Sequence, residues 1–204
     1  MNPSPEFHSV SDHIAVWHRF DPSVKTELFS TALSTAEGTI LVDPIAPSSS
    51  DLSELQARAP ITGILITSQN HWRASSQLSQ HLSVPIFGHR AAQLETASPS
   101  FVPVVNGDRI QSVLEIIVIE GAAPGEIAIY SVSDGGTLII GDALINVEPY
   151  GFTFLPAKYC GDHRKMRRSL RQLAHRELKR ILFAHGLPIT SNAASRLGAL
   201  LDSE

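Results

Sequence analysis

Residues 66–73 read ITSQNHWR, a polar stretch that follows the apolar run ITGILIT. It offers one imidazole (His71), an amide (Asn70), hydroxyls (Thr67, Ser68), an indole (Trp72) and a guanidinium (Arg73). An imidazole can bind a metal or carry a proton, whereas a guanidinium stays charged and has no lone pair to give. The stretch is therefore a metal loop, an altered metal loop or an ordinary connection. A second group, KYCGDHR at 158–164, brings Cys160, Asp162 and His163 close in sequence. A Cys–His nucleophile needs an orienting third group and a setting that lowers the thiol pKa. The simpler reading makes Asp162 the N-cap of a following helix. Likewise, Asp43 reads first as a cap on the turn before Pro44, and His89 as a partly exposed residue at a strand end.

These residues need elements to position them. β-branched and apolar runs predict strands at 13–20, 27–35, 38–44, 61–67, 84–89 and 180–186. Residues 109–121 and 126–142 read as strands, the latter folded about the Gly-Gly turn at 135–136 into a hairpin. Helical spacing marks 51–59, with Asp51 near its N-cap, and also 72–82, 90–96, 163–176 and about 190–202. The basic run at 163–180 alternates with Leu170, Leu173, Leu178 and Ile181, which reads as the solvated face of an amphipathic helix rather than a phosphate site. Strand runs with few polar interruptions predict sheets covered on both faces, hence a layered α/β (α+β) fold. No linker divides the chain, so residues 1–204 are expected to form one domain.

Composition narrows the function classes. The chain is 43% hydrophobic and 18% charged, an ordinary globular balance. A net charge of −4 argues against a nucleic-acid surface, which needs clustered positive charge. No apolar run approaches the roughly 20 residues that span a bilayer. The N-terminus lacks the pattern of a secretory signal, and the lone Cys160 cannot form an internal disulfide. A cytoplasmic protein without nucleic-acid or membrane partners is expected.

The runs GTILVDP, ITGILITSQNHWRAS, VPIFGH, EGAAPGEIAIYSVSDGGTLIIGDAL and ILFAHGLPI stand in an order and spacing that resembles the metallo-β-lactamase-fold superfamily, over residues 27 to 189. The resemblance implies a four-layer αββα sandwich with its site on the loops at one edge. It also implies one or two metal ions, usually zinc and sometimes iron or manganese, serving hydrolysis. The family motif Thr-His-x-His-x-Asp-His aligns with Thr67-Ser68-x-Asn70-x-Trp72-Arg73, so only the threonine matches. The histidine of the family's Gly-His-x-Pro-Gly turn is replaced by Ala122 in GAAPG, while Asp142 and His185 match the remaining ligands.

Five of the seven aligned ligand positions thus lack the family's residue type, and the standard dinuclear centre is expected to be absent. His71 falls on a spacer, where it is expected to face outward or bond to backbone, leaving His185 paired with Asp142. A register shift or bulge would instead turn His71 inward and complete a set with Asp142 and His185 that can hold zinc or iron. Arg73 could pair with Asp142 in place of a metal, and the vacated cleft would then take a small anion, with Ser68, Asn70 and His71 as hydrogen-bonding groups. A third reading is a scaffold, as a homodimer, without a small-molecule role. At the resemblance's second-tier position, Asp43 would support the ligands from behind.

Overall fold

The computed structural model of the protein describes residues 5–94 and 100–203. Its first sheet contains β1 (Glu6–Ser11), β2 (Ile14–Asp21), β3 (Thr26–Thr35), β4 (Gly38–Val42), β5 (Ile61–Leu65), β6 (Ile86–His89) and β7 (Phe101–Val104), in that spatial order. Strands β1 to β4 run antiparallel and β4 to β7 parallel. The chain continues through β8 (Arg109–Ile110), β9 (Leu114–Val118), β10 (Ile127–Ser131) and β11 (Thr137–Ile140). A separate hairpin, β12 (Leu144–Val147) with β13 (Gly151–Phe154), precedes β14 (Arg180–Phe183). The second sheet has the order β14-β11-β10-β9-β8, with β14 parallel to β11.

Alternation along the strands divides the core into three layers. Val16, Phe29, Val42 and Leu65 of the first sheet meet Ile116, Ile129, Ile139 and Leu182 of the second between the sheets. On the outer face of the first sheet, Leu41, Ile64 and Ile86 pack against Leu55 of α1 (Ser49–Arg58) and Leu78 of α2 (Ser75–Leu82). The outer face of the second buries Met166 and Leu170 of α3 (His163–Leu170) and Leu197 and Leu201 of α4 (Ala193–Leu201). This is the expected αββα sandwich. Each fully buried Leu or Ile contributes about 1.5–3 kcal/mol of transfer free energy.

Several boundaries differ from the sequence reading. Ser48, not Asp51, caps α1; Asp51 completes a capping box from the third helical position. Residues 90–96 do not form a helix: Arg90–Ala92 make one 3-10 turn, and 95–96 lie outside the described residues. The helix expected over 163–176 ends at Leu170 and tightens into a 3-10 turn, Arg171–Leu173. Beyond it, Arg176 leaves the helical path to grip Glu115 with both guanidinium nitrogens at 2.6 Å. Asp162 does cap α3, accepting from Lys165 N at 2.9 Å. Arg164, Lys165 and Arg168 are exposed, as a solvated face requires.

Candidate metal centre

Parallel pairing brings the carboxyl ends of β4 and β5, and of β11 and β14, to one rim, where Leu65 lies beside Val42 and Phe183 beside Ile140. Asp43, the 66–73 loop, Asp142 and His185 all follow these ends. Crevices outside strand carboxyl ends are where open α/β sheets take ligands.

The loop is anchored by Thr67, whose carbonyl accepts from Ile127 N at 2.8 Å and thereby ties the two sheets together. Its N–H donates to Asp43 Oδ1 at 2.7 Å and its hydroxyl donates to Asp43 Oδ2. Ser68 then caps a single 3-10 turn, Gln69–His71, accepting from Asn70 N. Three residues per turn, rather than two as in a strand, change which side chain faces the cleft. Residue 71 faces in. Trp72 faces the outer core and donates Nε1–H to Ala92 O at 2.7 Å. Arg73, with φ of +42°, turns back beneath the cleft floor.

His71 is therefore buried and points inward, which corrects the expectation that a spacer residue would face out or bond backbone. Its Nδ1 lies 2.7 Å from Thr67 Oγ1 and 3.1 Å from Asp43 Oδ2. Because the threonine proton goes to Asp43, Nδ1 must carry the hydrogen, and Nε2 is left as the lone pair. His185 repeats the pattern: Nδ1–H donates to Glu27 O at 3.1 Å, freeing Nε2. Both Nε2 atoms converge on Asp142 Oδ1, at 3.3 Å from His71 and 3.4 Å from His185. His71 Nε2 is buried and makes no aligned hydrogen bond. One donor atom from each of the three residues lies within 4.8 Å of the others.

Two lone pairs facing a carboxylate repel unless a cation sits among them. In the metal-free protein a proton takes that role. Burial disfavours a charged His71, but the Asp43 and Asp142 carboxylates outweigh it and raise the imidazole to about 10. Burial and the charge on His71 push His185 down to about 4, so it stays neutral. Burial also opposes ionisation of Asp142, yet His71, His185 and Asn70 hold its carboxyl well below the usual range. With both imidazoles neutral, Asp43, Asp142 and Arg73 together leave one net negative charge, and two imidazoles and a carboxylate are a donor set for zinc or iron. The residues present fit one ion.

They do not fit a pair of ions. Ser68 serves as a cap and is fully buried, Ala122 is buried without a donor, and Asn70 Nδ2 donates to Asp142 Oδ2 at 3.2 Å. Arg73 forms no ion pair with Asp142, contrary to one reading of the sequence. Its guanidinium is engaged by three carbonyls, those of Phe29, Asp43 and Ala184. Asp43 is more than a turn cap, since its carboxylate fixes Thr67 and His71 from behind. Cys160 and His163 do not pair: the thiol faces carbonyls and Met166 Sδ, burial pushes its pKa up, and the His163 ring meets Phe154 edge-on. His89 Nδ1 accepts from Ala91 N. Thr67 was marked by its match to the family motif, but two contributors carried no sequence signal of their role: the Glu27 carbonyl and buried Glu126. The last accepts from Ala143 N at 3.0 Å, and burial followed by the Asp142 charge pushes its carboxyl well above the ordinary carboxylate range.

Above the three donors opens a cleft of about 810 Å³, with Leu28, Ile145 and Leu155 on its walls and Lys25, Lys158 and Tyr159 also lining it. A four-layer sandwich with imidazole and carboxylate donors at one rim defines a class of metal-binding folds. The sequence profile of the metallo-beta-lactamase superfamily matches residues 9–203, and the chain belongs to that superfamily. Among solved structures it is similar to the DIM-1 metallo-beta-lactamase (11% identity, TM-score 0.78, covering 100% of this chain and 99% of that one). It is similar also to a metallo-beta-lactamase from Pontibacter korlensis (16%, 0.75, 98% and 100%) and to TTHA1623 in a di-iron-bound form (21%, 0.66, 84% and 94%). At these identities the likeness is one of fold. No curated protein matches the chain. Among the described residues, no helix is long and apolar enough to cross a membrane.

Proposed function

We propose that the chain is a hydrolase of the superfamily built around one metal ion, zinc or iron, held by His71, Asp142 and His185. The observation that carries this reading is the convergence of two Nε2 lone pairs on Asp142 Oδ1 while both Nδ1 atoms are committed as donors. Three protein ligands leave positions open, the mark of a catalytic rather than a structural site. Such an ion supplies Lewis acidity, polarising a carbonyl or phosphoryl group and acidifying water. The chain's own residues do the rest. Asp43 and Thr67 hold His71, the Glu27 carbonyl holds His185, and Asn70 holds the second Asp142 oxygen. Lys25 and Lys158, beside apolar walls, suit a small substrate that carries an acidic group. A small-anion site centred on Arg73 is less well supported, because that guanidinium already serves three carbonyls.

Tag-free protein should purify with about one equivalent of zinc or iron that is lost in Asp142→Ala, given that well-built protein zinc sites bind with some 10–16 kcal/mol. Hydrolysis of a generic ester, phosphodiester, thioester or lactam should be chelator-sensitive and lost in Asp142→Ala. Less than about a tenth of an equivalent of any transition metal, after reconstitution as well, would reject the reading.

A further inference from the structure

Away from the cleft, a second group of side chains brings metal-type donors together: Glu6 and His8 of β1 with His18 of β2. We propose that these three form a separate cation site at the edge of the seven-stranded sheet, suited to a borderline divalent ion such as zinc. Residues 6 and 8 share a face of β1 because side chains alternate along a strand. The antiparallel register sets Glu6 opposite His18, which places the second imidazole on the same face. Glu6 Oε2 lies 3.6 Å from His18 Nε2 and 3.9 Å from His8 Nε2. Donors at bond lengths of about 2.0–2.2 Å around a tetrahedral ion stand roughly 3.4 Å apart. Small rotations of two exposed side chains close the difference.

The surroundings of His18 distinguish this group from a chance meeting on the surface. Its Nδ1 lies 3.1 Å from Glu27 Oε2, which draws the hydrogen to Nδ1 and leaves Nε2 as the lone pair facing Glu6 and His8. A carboxylate behind an imidazole is how proteins orient metal-binding histidines. The ring is further held between Phe29, stacked at 4.7 Å, and His8, stacked at 5.6 Å. One carboxylate and two imidazoles thus face a common point, and a second carboxylate, that of Glu27, backs His18 from its other ring nitrogen. The same Glu27 offers its main-chain carbonyl to His185, so an ion at the edge steadies the strand that orients a cleft ligand.

The test separates this site from the cleft. Tag-free protein carrying His71→Ala, titrated with zinc chloride by calorimetry, should still take up one ion per chain. Adding His8→Ala or Glu6→Gln should abolish that uptake. Glu27→Gln, which leaves the carbonyl to His185 in place, should weaken it about 10- to 100-fold. In the otherwise unaltered chain, His8→Ala should lower the zinc stoichiometry by one equivalent, so the result does not depend on how His71→Ala folds. Zinc uptake that is indifferent to both His8→Ala and Glu6→Gln overturns the proposal, whatever the cleft binds. A chain with all three cleft ligands intact that takes up one ion only, and loses it on His8→Ala, would overturn the hydrolase reading and leave this one standing.

Discussion

His71 acts as a ligand candidate because of the atoms behind it. Asp43 accepts from the Thr67 hydroxyl, and that leaves Thr67 only its lone pairs for His71 Nδ1. Asn at position 43 would present an N–H where an acceptor is needed, favouring the tautomer with its hydrogen on Nε2. Asp43→Asn should therefore lower zinc affinity about 10- to 100-fold in competition with a chromophoric chelator, with the ligands themselves unchanged. Equal affinity would show that the tautomer does not matter. Glu126 makes a second residue-level prediction, for the chelated protein. Its carboxyl stays protonated in the fold through burial and the Asp142 charge, well above the ordinary 4.5. From pH 4.5 upward the unfolded chain releases this proton while the folded chain keeps it. Stability then falls as pH rises, by about 1.4 kcal/mol per unit until the folded pKa is reached. Glu126→Gln should remove that slope, so that its melting temperature exceeds the parent's at pH 8 and the advantage disappears near pH 4. A constant offset at all pH values would mean that Glu126 is ionised in the fold.

At the scale of elements, the apolar strands were legible because their cores are continuous: GTILV is buried throughout, and ITGIL is buried from Gly63 onward. β1 and the hairpin of β12 and β13 were not. EFHSVS is largely exposed and mixed in character, and GFTF has only one buried residue, so neither carries a burial pattern. Long-range partners make them strands: β1 pairs with β2, and β12 is held by the bridge from Asn146 to Gly186. That bridge also places the residue after His185. Gly186 has φ of +108°, and an added Cβ would lie 2.0 Å from Asn146 O. Gly186→Ala must separate the two segments, losing the Asn146 N to His185 O and Leu187 N to Asn146 O bonds. Backbone strain of about 1–3 kcal/mol and roughly 1 kcal/mol per lost bond set the expected destabilisation. Gly151→Ala, at φ of +65° with open space around it, should cost only about 1–2 kcal/mol. Urea midpoints compare the two, and a Gly186→Ala loss no larger than that of Gly151→Ala would remove the bridge from the account of the site.

Over the whole molecule, the sequence carried the ligands' chemistry but not their meeting. Hydroxyl, amide, indole and guanidinium at 68, 70, 72 and 73 stand where the family places ligands, and that departure was readable from residue types alone. That His71 would fill the cleft depended on a 3-10 turn, and that Arg73 would avoid Asp142 depended on carbonyls 30, 44 and 111 residues away. Arg73 joins the sheets: Phe29 belongs to β3, Asp43 follows β4, and Ala184 follows β14 of the opposite sheet. A guanidinium can serve three acceptors at fixed angles, which neither an ammonium nor an apolar chain can reproduce. Arg73→Met keeps the bulk and leaves buried carbonyls without donors, at about 1–3 kcal/mol each for those that water cannot reach. It also removes the positive charge that opposes a dication nearby, so the two consequences have opposite signs. The variant should unfold at lower urea and, while folded, bind zinc more tightly than the parent. If stability and affinity fell together, Arg73 would act by holding the ligand loops in place, with its charge immaterial to the ion. If affinity alone fell, the guanidinium would touch the bound species directly, and the cleft would have to be redrawn around it.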